Sequence, residues 1–103
     1  VDDLLNAYDL AFERIASISG QVFNIGGGLN NSISIWRDFS SILERRMKMP
    51  EPVWKDWRPG DQKVYISNIQ KAKKELGWQP LISAQDGIER LFHWVKENQD
   101  IFK

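Results

Sequence analysis

Apolar residues recur at three- and four-residue intervals in four stretches of this chain, whereas only two five-residue runs have the density of a buried strand. That imbalance limits the fold more than any other feature. Leu4, Leu5, Tyr8, Ala11, Phe12 and Ile15 form one helical stripe, and Ile35, Phe39, Ile42 and Leu43 a second. Ile69, Ala72 and Leu76 form a third, and Ile88, Leu91, Phe92 and Val95 a fourth, the most regular of them. The strand candidates are QVFNI, residues 21–25, and KVYIS, residues 63–67, the latter alternating Val64 and Ile66 against Tyr65 and Ser67. The expected order is helix, strand, helix, strand, helix, helix. An α/β chain of α+β character is expected, helix-rich with a few short strands too few to cover every apolar helix face.

The punctuation between these stretches is chemically specific. Gly20 ends the first helix, Ser34 caps the second, and Pro50 and Pro52 stop it after a basic last turn of Arg45, Arg46 and Lys48. Residues 53–57, VWKDW, read as extended, and Arg58-Pro59-Gly60-Asp61 as a turn in which proline and glycine supply the backbone angles. Ser67 or Asn68 caps the third helix and Gly77 ends it, while Ser83 with Asp86 three residues on opens the last. No repeat, low-complexity segment or linker interrupts the 103 residues, so they make one domain or a piece of one.

Composition removes whole classes of function. There is no cysteine, which excludes disulfide scaffolds, thiolate zinc sites and thiol catalysis. His93 is the single histidine and falls within a predicted helix, where a structural or solvent-facing role outweighs a catalytic one, and no metal site is expected. Lys plus Arg equals Asp plus Glu at 14 each, so no net field draws nucleic acid or an anionic membrane. Lys71, Lys73 and Lys74, like Arg45, Arg46 and Lys48, are interleaved with Glu75 and Glu44 and read as solvated helix faces. No apolar run approaches the ~20 residues of a membrane span.

The stretch VFNIGGGLNNS, residues 22–32, invites a dinucleotide-loop reading and fails it. That fingerprint needs G-x-G-x-x-G directly before a helix, with an acidic residue about twenty positions on. Gly26 and Gly28 supply two glycines, but Asn31 stands in the third place, and Asn30-Asn31-Ser32 delays the helix. Pro50 and Pro52 occupy the region where the acidic residue should fall, and no Gly-Lys-Ser/Thr follows for a Walker loop. A tight turn with positive φ is the better account.

Residues 57–80, WRPGDQKVYISNIQKAKKELGWQP, are more specific. They resemble the C-terminal region of the extended short-chain dehydrogenase/reductase family, the NAD-dependent nucleotide-sugar epimerases and dehydratases. That family carries an Arg-x-Gly-Asp turn, a short strand and a helix ending in Leu-Gly-Trp-x-Pro. These stand here as Arg58-Pro59-Gly60-Asp61, Val64 to Ser67, and Leu76-Gly77-Trp78-Gln79-Pro80. VDDLLNAY, VFNIGGG and GIERLFHWVKEN are similar to further segments of the family in the same order, so the likeness spans nearly the whole chain. Asn68 stands where relatives have Asp, a change that leaves helix capping intact. GDQKVYIS and the triple glycine look closest to the CDP-sugar 2-epimerase branch, of the CDP-paratose or tyvelose type.

The resemblance carries several implications. Residues 1–103 would be the C-terminal substrate-binding domain of a larger two-domain enzyme, lacking the N-terminal Rossmann sheet. NAD would be bound mainly by that other domain, which would also hold the catalytic Tyr-x-x-x-Lys pair. Tyr8 and Tyr65 are not followed by such a lysine, so no catalytic residue and no cofactor is expected in this chain alone. The parent would oxidise a sugar hydroxyl transiently, change its stereochemistry and return the hydride. Arg58 would contact the diphosphate of a nucleotide-sugar, with a CDP-sugar favoured, Asp61 would accept from ribose hydroxyls, and Gly60 would let the backbone approach. A guanidinium's planar fork of donors suits phosphate oxygens. A plain surface pairing of Arg58 with Asp61 competes with that role. Trp54 and Trp57 flank the turn and are the tryptophans best placed to reach a ligand cleft. Self-association of an isolated domain and a cytoplasmic location are also expected. The rival functions are a dehydratase or reductase of the same family, and a non-catalytic binding module.

Overall fold

The computed structural model describes every residue from Val1 to Lys103. Helix takes up 52% of them and no strand forms, which corrects the expected α/β class. A strand exists only through a ladder with a neighbour, and neither candidate run has one; what holds them are side-chain bonds. Lys71 Nζ donates to the Val22 carbonyl at 3.0 Å, and the Gly28 N–H donates to Ser67 Oγ at 3.3 Å. The alternation of the first run survives without a sheet, since Phe23 and Ile25 turn inward while Val22 and Asn24 are exposed. In the second run no alternation survives: Val64, Tyr65 and Ile66 are all exposed and Ser67 alone is buried.

The chain divides into two compact units, one built from residues 1–32 and 66–84, the other from residues 33–65 and 85–103. The first contains α1 (Asp2–Glu13) and α2 (Ile15–Ile18), interrupted at Arg14, and a wide turn of π-type helix at Ala72–Leu76. Asp2 and Asp3 lie in the first turn of α1, where carboxylates complement the helix dipole. The core comprises Ala7, Ile18, Ala72, Leu76 and Trp78, with Leu10, Ala11, Phe23, Ile25 and Ile69 packed against it. The third stripe therefore turns inward as its spacing predicts, and the helix ends at Gly77 in the left-handed region, φ +70°. Asn68 Oδ1 accepts from the Gln70 N–H as its cap.

The first stripe is a different matter. The face of α1 that packs carries Ala7, Leu10 and Ala11, whereas Leu5, Tyr8 and Phe12 are exposed, Phe12 at 80%. Small residues let Ala72, Leu76 and the Trp78 ring approach closely, and close approach is what dense packing requires. Of the expected stripe Ala11 alone packs on this core, and its larger members are left exposed.

The second unit opens with Ser34, which caps as expected: its Oγ accepts from the Arg37 N–H at 3.1 Å. Asp38 Oδ2 accepts in return from the Ser34 N–H at 2.8 Å, a capping box lengthened by one residue. The lengthening matches the wide turn Ile35–Phe39, which runs on into α3 (Ser40–Glu44). Ser40 and Ser41 donate back to the carbonyls of Trp36 and Arg37, a pattern that competes with regular helix bonding. The long α4 (Ala84–Glu97) and a short turn at Gln99–Phe102 complete the chain. The expected burial of the fourth stripe is not met: Ile88 and Phe92 are half-buried, and Leu91, Trp94 and Val95 are exposed. No helix is long and apolar enough to cross a membrane.

Candidate functional site

Arg58, Gly60 and Asp61 fall in one turn of the second unit. The Asp61 N–H donates to the Arg58 carbonyl at 3.1 Å, closing the turn, and Gly60 adopts φ +88° with open space around it. Proline at the second position and positive-φ glycine at the third are the residues a type II turn asks for. The Asp61 carboxylate then binds the turn to itself. Its Oδ2 accepts from the Arg58 N–H at 2.9 Å and from Arg58 Nε at 3.4 Å, while Oδ1 lies 3.2 Å from Arg58 Nη2. The Asp61 side chain is 28% exposed and that of Arg58 85%. One edge of the guanidinium is thus braced and its remaining donors face solvent.

Two tryptophans stand just before this turn. Trp54 packs edge-to-face with Trp36, with ring centroids 5.4 Å apart at 85°. Trp57 has Lys63 Nζ over its ring at 5.2 Å from the centroid and is 63% exposed. The ammonium and the guanidinium both belong to the loop 57–63, so the turn presents two cations and one carboxylate.

The glycine loop lies in the first unit and has a packing explanation. A side chain at Gly26 would collide with the Ser67 hydroxyl and come within 3.0 Å of Ser67 Cβ. One at Gly27 would come within 2.9 Å of Asn31 Cβ, and one at Gly28 within 3.0 Å of Ile69 Cδ1. The Gly28 N–H, which a phosphate cradle would need, is already donated to Ser67. That amide is thus engaged within the fold, and the glycines are explained by the close approach of Ser67, Asn31 and Ile69.

A cavity of about 410 Å³ borders that loop, with Gly27 to Asn31 on one wall and Ile66 to Gln70 with Lys73 on another. Sequence reasoning missed it. Its asparagines read singly as turn or cap residues, and Asn31 proves to be a brace: its side chain donates to the Ile82 carbonyl at 3.4 Å and accepts from the Ala84 N–H at 3.2 Å. Pairing an Asn-rich turn with a distant Ser-Asn cap is the only signal that could have found it. Elsewhere, His93 is exposed on α4, edge-to-face with Phe92 at 5.9 Å. Arg46 binds Glu89 at 2.9 Å, and Lys71 Nζ lies 4.7 Å from the centroid of the Phe23 ring. No grouping of three or more His, Asp or Glu side chains could hold a metal.

Comparison with known proteins gives a consistent picture. A CDP-paratose 2-epimerase of Salmonella typhi is 30% identical over 100 residues, covering 91% of this chain and 28% of that protein. A UDP-glucuronate 4-epimerase of Thermodesulfobacterium geofontis is 38% identical over 99 residues, 92% of this chain and 30% of that protein. A dTDP-glucose 4,6-dehydratase of Escherichia coli is 26% identical over 93 residues, 81% and 26% respectively. The chain thus spans under a third of the length of these curated relatives. No family model matches the chain, and no solved structure matches it.

Proposed function

The chain belongs to the nucleotide-sugar epimerases and dehydratases of the short-chain dehydrogenase/reductase family, and on that premise we propose that residues 1–103 are the substrate-holding C-terminal domain of such an enzyme. The whole enzyme, on this reading, is an NAD-dependent epimerase acting on a nucleotide-sugar, of the CDP-sugar 2-epimerase type, in a cytoplasmic setting. NAD and the hydride chemistry it supplies belong to another domain, and these residues alone turn nothing over. The second reading, a dehydratase of the same family, draws on the likeness to the dTDP-glucose 4,6-dehydratase.

One observation carries the proposal: the Arg58 guanidinium is braced along one edge by Asp61 and open along the rest. A planar donor fork held in place but left in solvent suits the oxygens of a diphosphate, which it can engage in two parallel bonds. The carboxylate that braces it is left partly open toward the hydroxyls of an attached ribose, and Gly60, with no side chain and open space around it, admits the ligand.

An amide NMR titration of the chain with CDP, UDP and NAD tests this. Shifts centred on Arg58 to Asp61 with either pyrimidine diphosphate are expected, and Arg58→Ala should weaken that binding roughly 10- to 150-fold, the range for a bond to a charged group. Unchanged CDP affinity in Arg58→Ala would refute the role of Arg58. Shifts confined to Gly26 to Gly28 with NAD would reverse the reading of the glycine loop.

A further inference from the structure

We infer that Trp57 is the stacking platform for the nucleobase, and so the residue of this chain that recognises the pyrimidine half of the ligand. The inference rests on the diphosphate-binding reading of Arg58 and extends it to a part of the ligand that the arginine cannot touch.

The fold separates Trp57 from the other tryptophans. Trp78 is a core residue at 1% exposure. Trp36 and Trp54 occupy each other edge-to-face, and Trp94 packs the same way on Phe102 at 6.2 Å. Trp57 has no aromatic partner. The Lys63 ammonium lies over its ring, and the residue as a whole is 63% exposed; Trp54 is more exposed, at 71%, but its ring is engaged by Trp36. An indole left this open forgoes the burial that a side chain of its size ordinarily gains. It also immediately precedes the arginine whose outer donors face solvent. A nucleoside diphosphate has three chemically different parts, and the loop offers a matching group for each. There is a flat aromatic face for the base, a carboxylate for ribose hydroxyls, and the guanidinium for the diphosphate, with the Lys63 ammonium as a second cation. Lys63 also fixes the ring from one side, so that a base stacks on the other without the ring having to be ordered first. Stacking reads the π-face rather than the hydrogen-bonding edge, so the platform is expected to accept cytosine and uracil alike.

The test uses the chain labelled with fluorotryptophan, whose five resonances report each indole separately, titrated with CDP and with inorganic pyrophosphate. The Trp57 signal should move much further with CDP than with pyrophosphate, whose effect is confined to the neighbouring Arg58 and Lys63 charges. Trp57→Ala should weaken CDP binding by roughly 5- to 150-fold while leaving pyrophosphate binding unchanged, and Trp57→Phe should restore most of the loss. Equal affinities of the unaltered chain for CDP and pyrophosphate would overturn the inference. So would a Trp57→Ala variant that binds CDP normally while Arg58→Ala does not, and in that case the reading of Arg58 survives. If neither ligand is bound, the diphosphate reading falls and the stacking platform with it.

Discussion

The backbone carbonyl of Asp3 accepts the Trp78 indole N–H at 2.7 Å, while the carboxylate of the same residue holds the Leu81 and Ile82 N–H groups at 2.9 and 3.0 Å. One residue in the first turn of α1 thereby fixes the buried indole and the segment that follows it. Asp3→Ala should destabilise the first unit by about 1.5–3 kcal/mol, the loss expected for bonds to a charged acceptor. Asp3→Asn should cost less, because one oxygen remains. Urea denaturation followed through the fluorine resonance of Trp78 in the fluorotryptophan-labelled chain measures both. An Asp3→Ala midpoint equal to that of the unaltered chain would remove the brace from the account.

Gly26 is predicted to be intolerant for a reason found in Ser67 and not in a ligand. Gly26→Ala should cost about 1–3 kcal/mol as overpacking, and adding Ser67→Gly should recover most of it, because the crowding groups are the Ser67 hydroxyl and Cβ. Thermal midpoints of the single and double variants decide the matter. Additive losses would mean that the glycine answers to something other than Ser67.

Arg58→Ala should scarcely change stability. Its ion pair with Asp61 lies at the surface, with the arginine side chain 85% exposed, and such pairs contribute about 0–1 kcal/mol. A variant that unfolds at the same urea concentration yet has lost CDP affinity separates binding from folding. A large fall in stability would make the turn chiefly structural, as the plain surface pairing supposes.

Leu5, Tyr8 and Phe12 leave an apolar strip along α1 open to water. We expect the isolated chain to self-associate through such surfaces and to enhance the emission of an apolar dye. Tyr8→Glu with Phe12→Glu should lower both. Sedimentation of the unaltered chain as a monomer without dye binding would contradict this.

What could be read from the sequence was what is decided within a few residues. The Ser34 cap, the Asn68 cap and the Gly77 stop each depend on bonds spanning a handful of positions, and all three stand where their residue types place them. The Arg58–Asp61 turn formed for the same reason. Which face of α1 packs was read only at Ala11, because Ala7 and Leu10 are chosen by a core that includes Ala72, Leu76 and Trp78, more than sixty positions away in the chain. The strands failed on the same ground. QVFNI and KVYIS have the composition of strands, but a ladder requires a partner strand that periodicity cannot reveal, and none forms beside either run. The cavity beside the glycine loop is likewise a product of two segments meeting, with neither advertising it.

The first unit is discontinuous, with residues 33–65 lying between its two halves, and this has a kinetic consequence. The bonds of the Asp3 carboxylate span 78 and 79 positions, so this brace on α1 cannot close until the chain has been synthesised through Ile82. Closing so long a loop is slow, and contacts this distant in sequence are made late in folding. The turn that bears Arg58 needs only its own four residues and forms on the timescale of local closure. During synthesis the ligand-facing turn is therefore ready before the Asp3 brace, and the first unit is completed only when its second half, residues 66–84, has been made.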